Sequence, residues 1–134
     1  MFVNEVAQRA QVPAHVVRYY TRIGLLKPSN RAENGYKVFI ERDLKRLKFI
    51  RQAKALGFTL NEIGQILDKA SHGKTSCPMV RITIEKRIEE NRHKLAKLMA
   101  LQQQMEKALA QWNKMPDGMP DGETLCPLIE AINI

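Results

Sequence analysis

The stretch RYYTRIGLLKPSNRAENGYKVFIERDLKRLKFIRQAKALGFTLNEIGQIL, residues 18–67, decides the fold of this 134-residue chain. Its first residues continue a helix that we predict from Ala14 to about Arg22. A shorter helix, capped by Asn4 and ending at Ala10, precedes it. Two short helices joined by a tight turn predict a helix-turn-helix motif.

The second of these helices places Arg18 and Arg22 four residues apart on one face, and Val16 and Tyr20 on another. An arginine side chain presents a planar fork of donors that suits a phosphate group or a guanine edge. The two arginines therefore indicate a helix that contacts DNA. The plainer alternative is a solvated basic face.

A basic hairpin follows, with an Asn-Gly dipeptide at 34–35 that favours a tight turn and a short strand from Tyr36 to Ile40. Beside a helix-turn-helix, such a hairpin is a wing, whose arginine or lysine can reach a neighbouring groove or the DNA backbone. The alternative is a hairpin that serves only as a connection between the helices before and after it. We predict that the residues in contact with DNA are Arg18, Tyr19, Tyr20, Arg22, Arg31, Tyr36 and Lys37.

Two more helices complete a predicted DNA-binding domain of residues 1–70. The first, from Glu41 to about Lys54, has an apolar face and a basic face. The second begins at a capping box, residues 59–62, and ends near Ala70. A polar linker follows.

A long helix is predicted from Pro78 to Trp112, so that the linker and this helix occupy residues 71–112. Four heptads of apolar spacing indicate a coiled coil. Since nothing else in the chain is long enough to cover this stripe, we expect self-association rather than packing within one domain. The repeat comprises Ile84, Ile88, Asn91, Leu95, Leu98, Gln102, Met105, Leu109 and Trp112. Asn91 and Gln102 can fix the register, and the predicted dimer contacts are Ile84, Ile88, Leu95, Leu98, Met105 and Leu109.

The net charge of +8 belongs to the first half: residues 1–70 hold 13 Lys/Arg and 6 Asp/Glu, whereas residues 71–134 hold 9 and 8. A basic domain attracts polyanions, of which nucleic acid is the first candidate and an anionic membrane surface the second. The chain contains neither an apolar run that could span a membrane nor the apolar segment of a signal peptide. We therefore expect a cytoplasmic protein, in which thiols stay reduced.

Only two cysteines occur, Cys77 and Cys126, one at each end of the predicted long helix and its following loop. Taken alone, they are better explained as small buried hydrophobes. The loop between Trp112 and Cys126 repeats Met-Pro-Asp-Gly, which predicts irregular structure. Residues 113–134 form the third predicted segment.

Several phrases within residues 18–67 together resemble the DNA-binding region of the mercury-resistance regulator (MerR) family: RYY, IGLL, NGYKVF, DLKRLKFI and LGFTLNEI. The resemblance covers the whole chain. It implies a mainly α fold with a winged helix-turn-helix, an antiparallel two-stranded coiled coil in a homodimer and a ligand-binding C-terminus. It further implies that effector binding distorts double-stranded promoter DNA and realigns the promoter for RNA polymerase.

Within that family, Cys77 resembles the mark of sensors for divalent soft metals, since copper(I) sensors usually have serine there. Cys126, in LCPLIEAI, resembles the last cysteine of the metal loop. In the middle of the loop this chain departs from the metal sensors, which carry a further cysteine or histidine. It offers instead Asp117, Asp121, Glu123, Met115 and Met119. Two thiolates alone suit linear mercury, whereas added carboxylates or water suit zinc, cadmium or lead.

The length of the helix separates the two thiols of one chain. A helix over residues 78–112 runs roughly 50 Å, and residues 113–125 would span that distance only if almost fully extended. In an antiparallel pair, each helix start lies beside the end of the other helix. We therefore expect Cys77 of one protomer to meet Cys126 of the other, twice per dimer.

The sequence thus predicts a DNA-binding transcriptional regulator that responds to zinc, cadmium, mercury or lead through Cys77 and Cys126. The alternative keeps the DNA-binding half and lets the thiols sense oxidants or electrophiles. An enzyme is not expected, because His15 and His93 lie on predicted helices without a constellation of thiols or carboxylates. His72, in the linker, is a candidate extra metal ligand. A membrane-surface or purely structural coiled-coil protein would not explain the wing.

Overall fold

The computed structural model describes residues 1–28, 30–31 and 35–133, with only the backbone of residues 30 and 31. Contacts divide the chain into two units, Met1–Ser76 and Cys77–Ile134. The first unit contains α1 (Val3–Ala10), α2 (Ala14–Arg22), β1 (Asn30–Arg31), β2 (Lys37–Val38), α3 (Glu41–Ala55) and α4 (Leu60–Ser71). The second contains α5 (Cys77–Trp112) and α6 (Pro127–Glu130). The predicted mainly helical fold is confirmed.

Helices α1 and α2 form the helix-turn-helix. Helix α1 begins one residue before Asn4, after an extended Phe2, so the predicted cap at Asn4 is wrong. It ends at Ala10, and the φ of 59° at the next residue, Gln11, lies in the left-handed region and turns the chain sharply. Helix α2 has the predicted bounds, and a left-handed Gly24 follows it.

One apolar core holds the first unit together, and the buried face of α3 supplies much of it. The residues with at most 1% of their surface exposed are Val6, Val17, Leu26, Phe39, Leu47, Ile50 and Ile63. They come from α1, α2, the turn after α2, the end of β2, α3 and α4. The apolar face predicted for α3 is confirmed, because Leu44, Leu47, Ile50 and Ala53 are all buried.

Side-chain caps fix where α3 and α4 begin. Asp43 is buried, and its carboxylate accepts a 2.9 Å hydrogen bond from the Ile40 amide at the start of α3. The predicted capping box of α4 is confirmed: the Glu62 amide donates to the Thr59 hydroxyl at 3.2 Å, and the Thr59 amide donates to the Glu62 carboxylate at 2.8 Å.

Two backbone attachments hold α2 and the wing in place. The Nε of Arg46 on α3 donates a 3.0 Å hydrogen bond to the carbonyl of Leu25, just after α2. At the base of the wing, the Phe39 amide donates to the Met1 carbonyl at 2.7 Å, and the Met1 amine donates to the Phe39 carbonyl at 2.9 Å. These bonds anchor the two elements that carry most of the predicted DNA contacts.

The wing is a short antiparallel pair in which Asn30 lies opposite Val38 and Arg31 lies opposite Lys37. Five residues, 32–36, therefore connect the paired ends. The predicted tight Asn-Gly turn involves Asn34, so it falls partly outside the described residues. Gly35 has a φ of 81°, while residues 32–34 lie outside the described part of the chain.

The second unit consists of the predicted long helix and a folded segment at its end. Helix α5 has 36 residues, none of them buried within the chain. The apolar residues of its heptad repeat are at least partly exposed, with Leu98 at 62%. After α5, the loop packs on α6, because a side chain at Gly118 would collide with the ring of Pro127. None of the helices in the described residues is long and apolar enough to cross a membrane.

Candidate nucleic-acid interface and thiol site

Helix α2 presents three of its predicted DNA contacts to solvent. Arg18, Tyr19 and Arg22 are exposed. The guanidinium carbon of Arg22 lies 5.3 Å from the centre of the Tyr19 ring. This cation–π contact limits the freedom of the arginine while leaving its donors accessible. The guanidinium of Arg22 is therefore partly ordered and can donate hydrogen bonds to an anion.

Tyr20 departs from the predicted set. Its side chain is only 9% exposed and belongs to the core. Burial, with a smaller contribution from neighbouring Tyr19, raises the pKa of its phenol. We therefore remove Tyr20 from the expected DNA contacts, because its ring stabilises α2 from the core side.

The wing and α2 line one groove of about 770 Å³. Tyr36 on the wing is 66% exposed, and its ring packs edge-on against Phe2 at a centroid distance of 6.2 Å. The residues that line the groove are Phe2, Val3, Asn4, Arg18, Thr21, Gly35, Tyr36 and Lys37. Two cationic side chains that were predicted to contact DNA, Arg18 on α2 and Lys37 on the wing, thus line the same groove. The side chain of Arg31 lies outside the described residues.

The net charge of the chain resides entirely in the first unit. Residues 1–76 hold 14 Lys/Arg and 6 Asp/Glu, a net charge of +8, whereas residues 77–134 hold 8 of each. Most acidic groups of the first unit also have structural partners. Asp43 and Glu62 cap helices, Glu41 lies 3.1 Å from Arg9, and Asp68 lies 3.7 Å from His72. The surface therefore offers a positive field to a polyanion.

The two thiols occupy different local settings in the second unit. Cys77 is the first residue of α5 and is exposed, whereas Cys126 is half-buried and precedes α6 with Pro127 at the first helical position. The carboxylate of Glu130 accepts hydrogen bonds of 3.2 Å from the amides of Leu125 and Cys126. Glu130 thus fixes the backbone that carries the Cys126 thiol. Sequence reasoning missed this role.

Asp121 closes the turn that leads to Cys126. Its Oδ1 accepts hydrogen bonds of 2.7 Å from the amides of Glu123 and Thr124. Because these bonds favour the ionised carboxylate, they lower the pKa of Asp121. Of the carboxylates that the loop offers, this one already has a structural function.

A hydrogen bond attaches this segment to the far end of α5. The indole Nε1 of Trp112 donates to the carbonyl of Leu128 at 2.7 Å. Cys126 therefore lies near the last residue of α5, while Cys77 is the first, with roughly 50 Å of helix between those ends. One chain does not bring its two thiols together. Among the described residues, no three His, Cys, Asp or Glu side chains form a group that could hold a metal.

His72, the candidate extra ligand, follows α4. Its Nδ1 lies 2.8 Å from the carbonyl oxygen of Asp68, a distance that fits a ring with hydrogen on Nδ1. Such a tautomer leaves Nε2 as the nitrogen with an available lone pair.

Two family profiles match the chain: "MerR HTH family regulatory protein" over residues 1–70 and "MerR, DNA binding" over residues 44–108. The chain is 31% identical to the HTH-type transcriptional regulator ZntR of Escherichia coli, over 97% of this chain and 90% of that protein. It is 30% identical to the mercuric resistance operon regulatory protein of Bacillus cereus, over 97% and 95%.

A solved structure agrees over nearly the full length. The transcription regulator PbrR691 from Ralstonia metallidurans, in complex with lead(II), superposes with a TM-score of 0.76 at 27% identity, covering 98% of each chain. The relatives are transcription regulators and not enzymes. From its helix-turn-helix through its long helix, this chain belongs to the MerR family of DNA-binding transcriptional regulators.

Proposed function

We propose that this chain is a homodimeric regulator that reads a thiophilic metal ion through Cys77 of one protomer and Cys126 of the other. The observation that carries the proposal is the hydrogen bond from Trp112 to Leu128. It holds the Cys126 segment at the end of α5 that is remote from Cys77. A site that uses both thiols therefore needs a second chain.

An antiparallel partner supplies the missing half of each site. When two copies of α5 run in opposite directions, the start of one helix lies beside the end of the other. Helix α5 buries nothing within its own chain and exposes a long apolar stripe. A second copy would cover that stripe and remove its apolar surface from water.

The donor set favours a soft metal ion. Two thiolates suit mercury, and an oxygen ligand from Asp117 or Glu123 would suit zinc, cadmium or lead. A mercuric resistance regulator and a lead(II)-bound regulator are among the relatives, which supports a metal effector. These relatives favour a metal effector over the oxidant-sensing alternative.

The first unit supplies the contacts to promoter DNA. Arg18, Tyr19 and Arg22 would contact one groove, and the wing, with Arg31, Tyr36 and Lys37, would contact the neighbouring groove or backbone. Metal binding would shift the dimer between two states that hold the two first units differently. The promoter would then be distorted and its elements realigned for RNA polymerase.

Subunit exchange tests the shared site. Reduced Cys77→Ser and Cys126→Ser chains are prepared separately, mixed, and titrated with mercury, lead, cadmium or zinc. Each variant alone should bind metal poorly, because every site lacks one thiolate. The mixed heterodimer should regain one tight site, since one of its ends keeps both thiols.

A failure to recover binding, with heterodimers confirmed by mass, would rule out the shared site. Transcription from the chain's own promoter region, with RNA polymerase and with or without metal, tests the functional half. The unmodified protein should bind two metal ions per dimer and change transcription when they bind.

A further inference from the structure

The apolar stripe of α5 has the same order of polar and apolar positions in both directions. This symmetry holds over the first eight positions, before Trp112, and these are Ile84, Ile88, Asn91, Leu95, Leu98, Gln102, Met105 and Leu109. The third position from either end is an amide, Asn91 or Gln102, and the others are apolar. Both amide side chains are exposed in the chain, as is most of the stripe. Such a pattern matches a reversed copy of itself.

We propose that two copies of α5 pair in a single antiparallel register, in which Asn91 of each protomer faces the partner's Gln102. The two-fold axis then passes between Leu95 and Leu98. This inference rests on the proposed homodimer and adds which residues meet. It also identifies the occupant of the stripe as a second copy of this chain.

The amides favour this register over its neighbours. A shift of one heptad in one direction places Asn91 against the partner's Leu95, and a shift in the other direction places it against the partner's Leu109. Gln102 would likewise face Ile84 or Leu98. Each shift buries amides without partners, which is unfavourable.

The structure also leaves Gln102 ready to accept a hydrogen bond. Its Nε2 already donates to the carboxylate of Glu106 at 3.1 Å, within the same helix. Its Oε1 can therefore accept from the side-chain amide of the partner's Asn91. The polar pair is satisfied across the seam, and the flanking pairs are entirely apolar.

The same register agrees with the shared thiol site. Extended along the helix axis, it places the partner's Cys77 level with a point just past Trp112, where the segment that carries Cys126 is anchored. The shifted registers place Cys77 opposite position 109, still within α5, or at a level roughly 10 Å farther out along the axis. The register does bring Glu85 near the partner's Glu106. This like-charge contact lies at exposed positions, where its cost is small.

Disulfide trapping in the full chain tests the register. In a Cys77→Ser, Cys126→Ser background, Asn91→Cys chains are mixed with Gln102→Cys chains, exchanged and mildly oxidised. Two matched mixtures test the shifted registers: Asn91→Cys with Leu95→Cys, and Gln102→Cys with Leu98→Cys. The 91–102 mixture should form cross-linked heterodimers at least about tenfold more efficiently than either control, because only those positions face each other.

Preferential trapping of either control pair would overturn the register, and so would self-trapping of Asn91→Cys chains, which a parallel dimer produces. If the unmodified chain sediments as a monomer, the homodimer itself fails. If it is a dimer that traps at another pair, only the register fails.

Sedimentation of leucine variants gives an independent measurement. Asn91→Leu or Gln102→Leu alone leaves an amide facing leucine in both symmetry-related pairs of the dimer, so each should weaken the dimer about tenfold. The double variant should recover most of that loss, since an apolar pair replaces a polar pair. Simple multiplication of the two single effects would show that the two amides do not meet.

Discussion

Trp112 and Leu128 join the end of α5 to α6 through a 2.7 Å hydrogen bond from the indole Nε1 to the main-chain carbonyl. The bond spans 16 residues and is partly buried. Because Cys126 lies two residues before Leu128, this contact helps to set where one of the two thiols lies.

Replacing Trp112 by phenylalanine should loosen that segment. The change keeps an aromatic ring but removes the donor, at a cost of about 1 kcal/mol. We expect metal affinity to fall roughly fivefold and the amide of Glu130, which bonds to the Cys126 carbonyl, to exchange faster with solvent. Gln111→Ala, at an exposed neighbour, is the control and should change neither quantity.

Replacing Arg18 by alanine should weaken operator binding by roughly 1–3 kcal/mol, if the guanidinium reads a base edge. Fluorescence anisotropy with an operator duplex over a range of salt concentrations measures the loss. Lys97→Ala removes the same charge from the second unit and should have little effect. Equal affinities for the two variants would contradict the assignment of α2 as the recognition helix.

A charge on the stripe of α5 should prevent dimer formation. Leu95→Asp would bury an unpaired carboxylate at the seam, so we expect a monomer at micromolar concentration and loss of operator binding. Ala96→Asp introduces the same charge at the adjacent position, off the stripe, and should remain a dimer. Sedimentation equilibrium distinguishes these outcomes, and a dimeric Leu95→Asp chain would exclude the stripe as the interface.

Asp121 should act on metal binding through the turn and not as a ligand. Asp121→Asn keeps an oxygen acceptor for the amides of Glu123 and Thr124, whereas Asp121→Ala removes it. We therefore expect metal affinity to fall clearly for alanine and little for asparagine. A loss that is equally large in both variants would indicate direct coordination. Asp117→Asn should be tested beside them, because a large loss of metal affinity in this variant would indicate that Asp117 supplies an oxygen ligand.

The turn should also depend on pH with a definite sign. The pKa of Asp121 is lowered in the folded chain, so its ionised form stabilises the turn above the ordinary carboxyl range. That contribution is fully present at neutral pH and disappears as the pH falls through the lowered pKa. Chemical shifts of the Glu123 and Thr124 amides should follow this single titration, and Asp121→Asn should abolish it.

The adjacent tyrosines of α2 should separate stability from DNA binding. Tyr20→Ala opens a cavity in the core and should lower the free energy of unfolding by roughly 3 kcal/mol. Tyr19→Ala should leave stability within about 0.5 kcal/mol but weaken operator binding. Urea denaturation and anisotropy on the same two variants check both statements. Loss of stability in Tyr19→Ala would contradict the exposure of that ring.

Local signals in the sequence predicted much of the fold. The bounds of α2 and the capping box at Thr59 depend on residues within a few positions of each other, so their physics is contained in the local sequence. The spacing of Val16 and Tyr20 predicts a shared apolar face. The burial of Tyr20 agrees with that spacing and not with its inclusion among the DNA contacts.

The features that we did not predict depend on contacts between residues whose sequence spacing gives no sign that they will meet. Nothing in the spacing of Trp112 and Leu128 indicates that an irregular loop will bring them together. The role of Glu130 was missed because it lies four residues after Cys126, one position beyond the usual capping box. The predicted tight Asn-Gly turn of the hairpin includes Asn34, which lies outside the described residues, and it stays a prediction.

Because no residue of α5 is buried within its own chain, the stability of the second unit should depend on the protein concentration. The first unit has its own core and can stay ordered at any dilution. In the proposed dimer, the second unit would gain its burial from another molecule, so its order would follow mass action. Its melting temperature should therefore rise with protein concentration while that of the first unit stays constant. A cell that makes too few copies would hold chains with a folded DNA-binding unit but no assembled sensor.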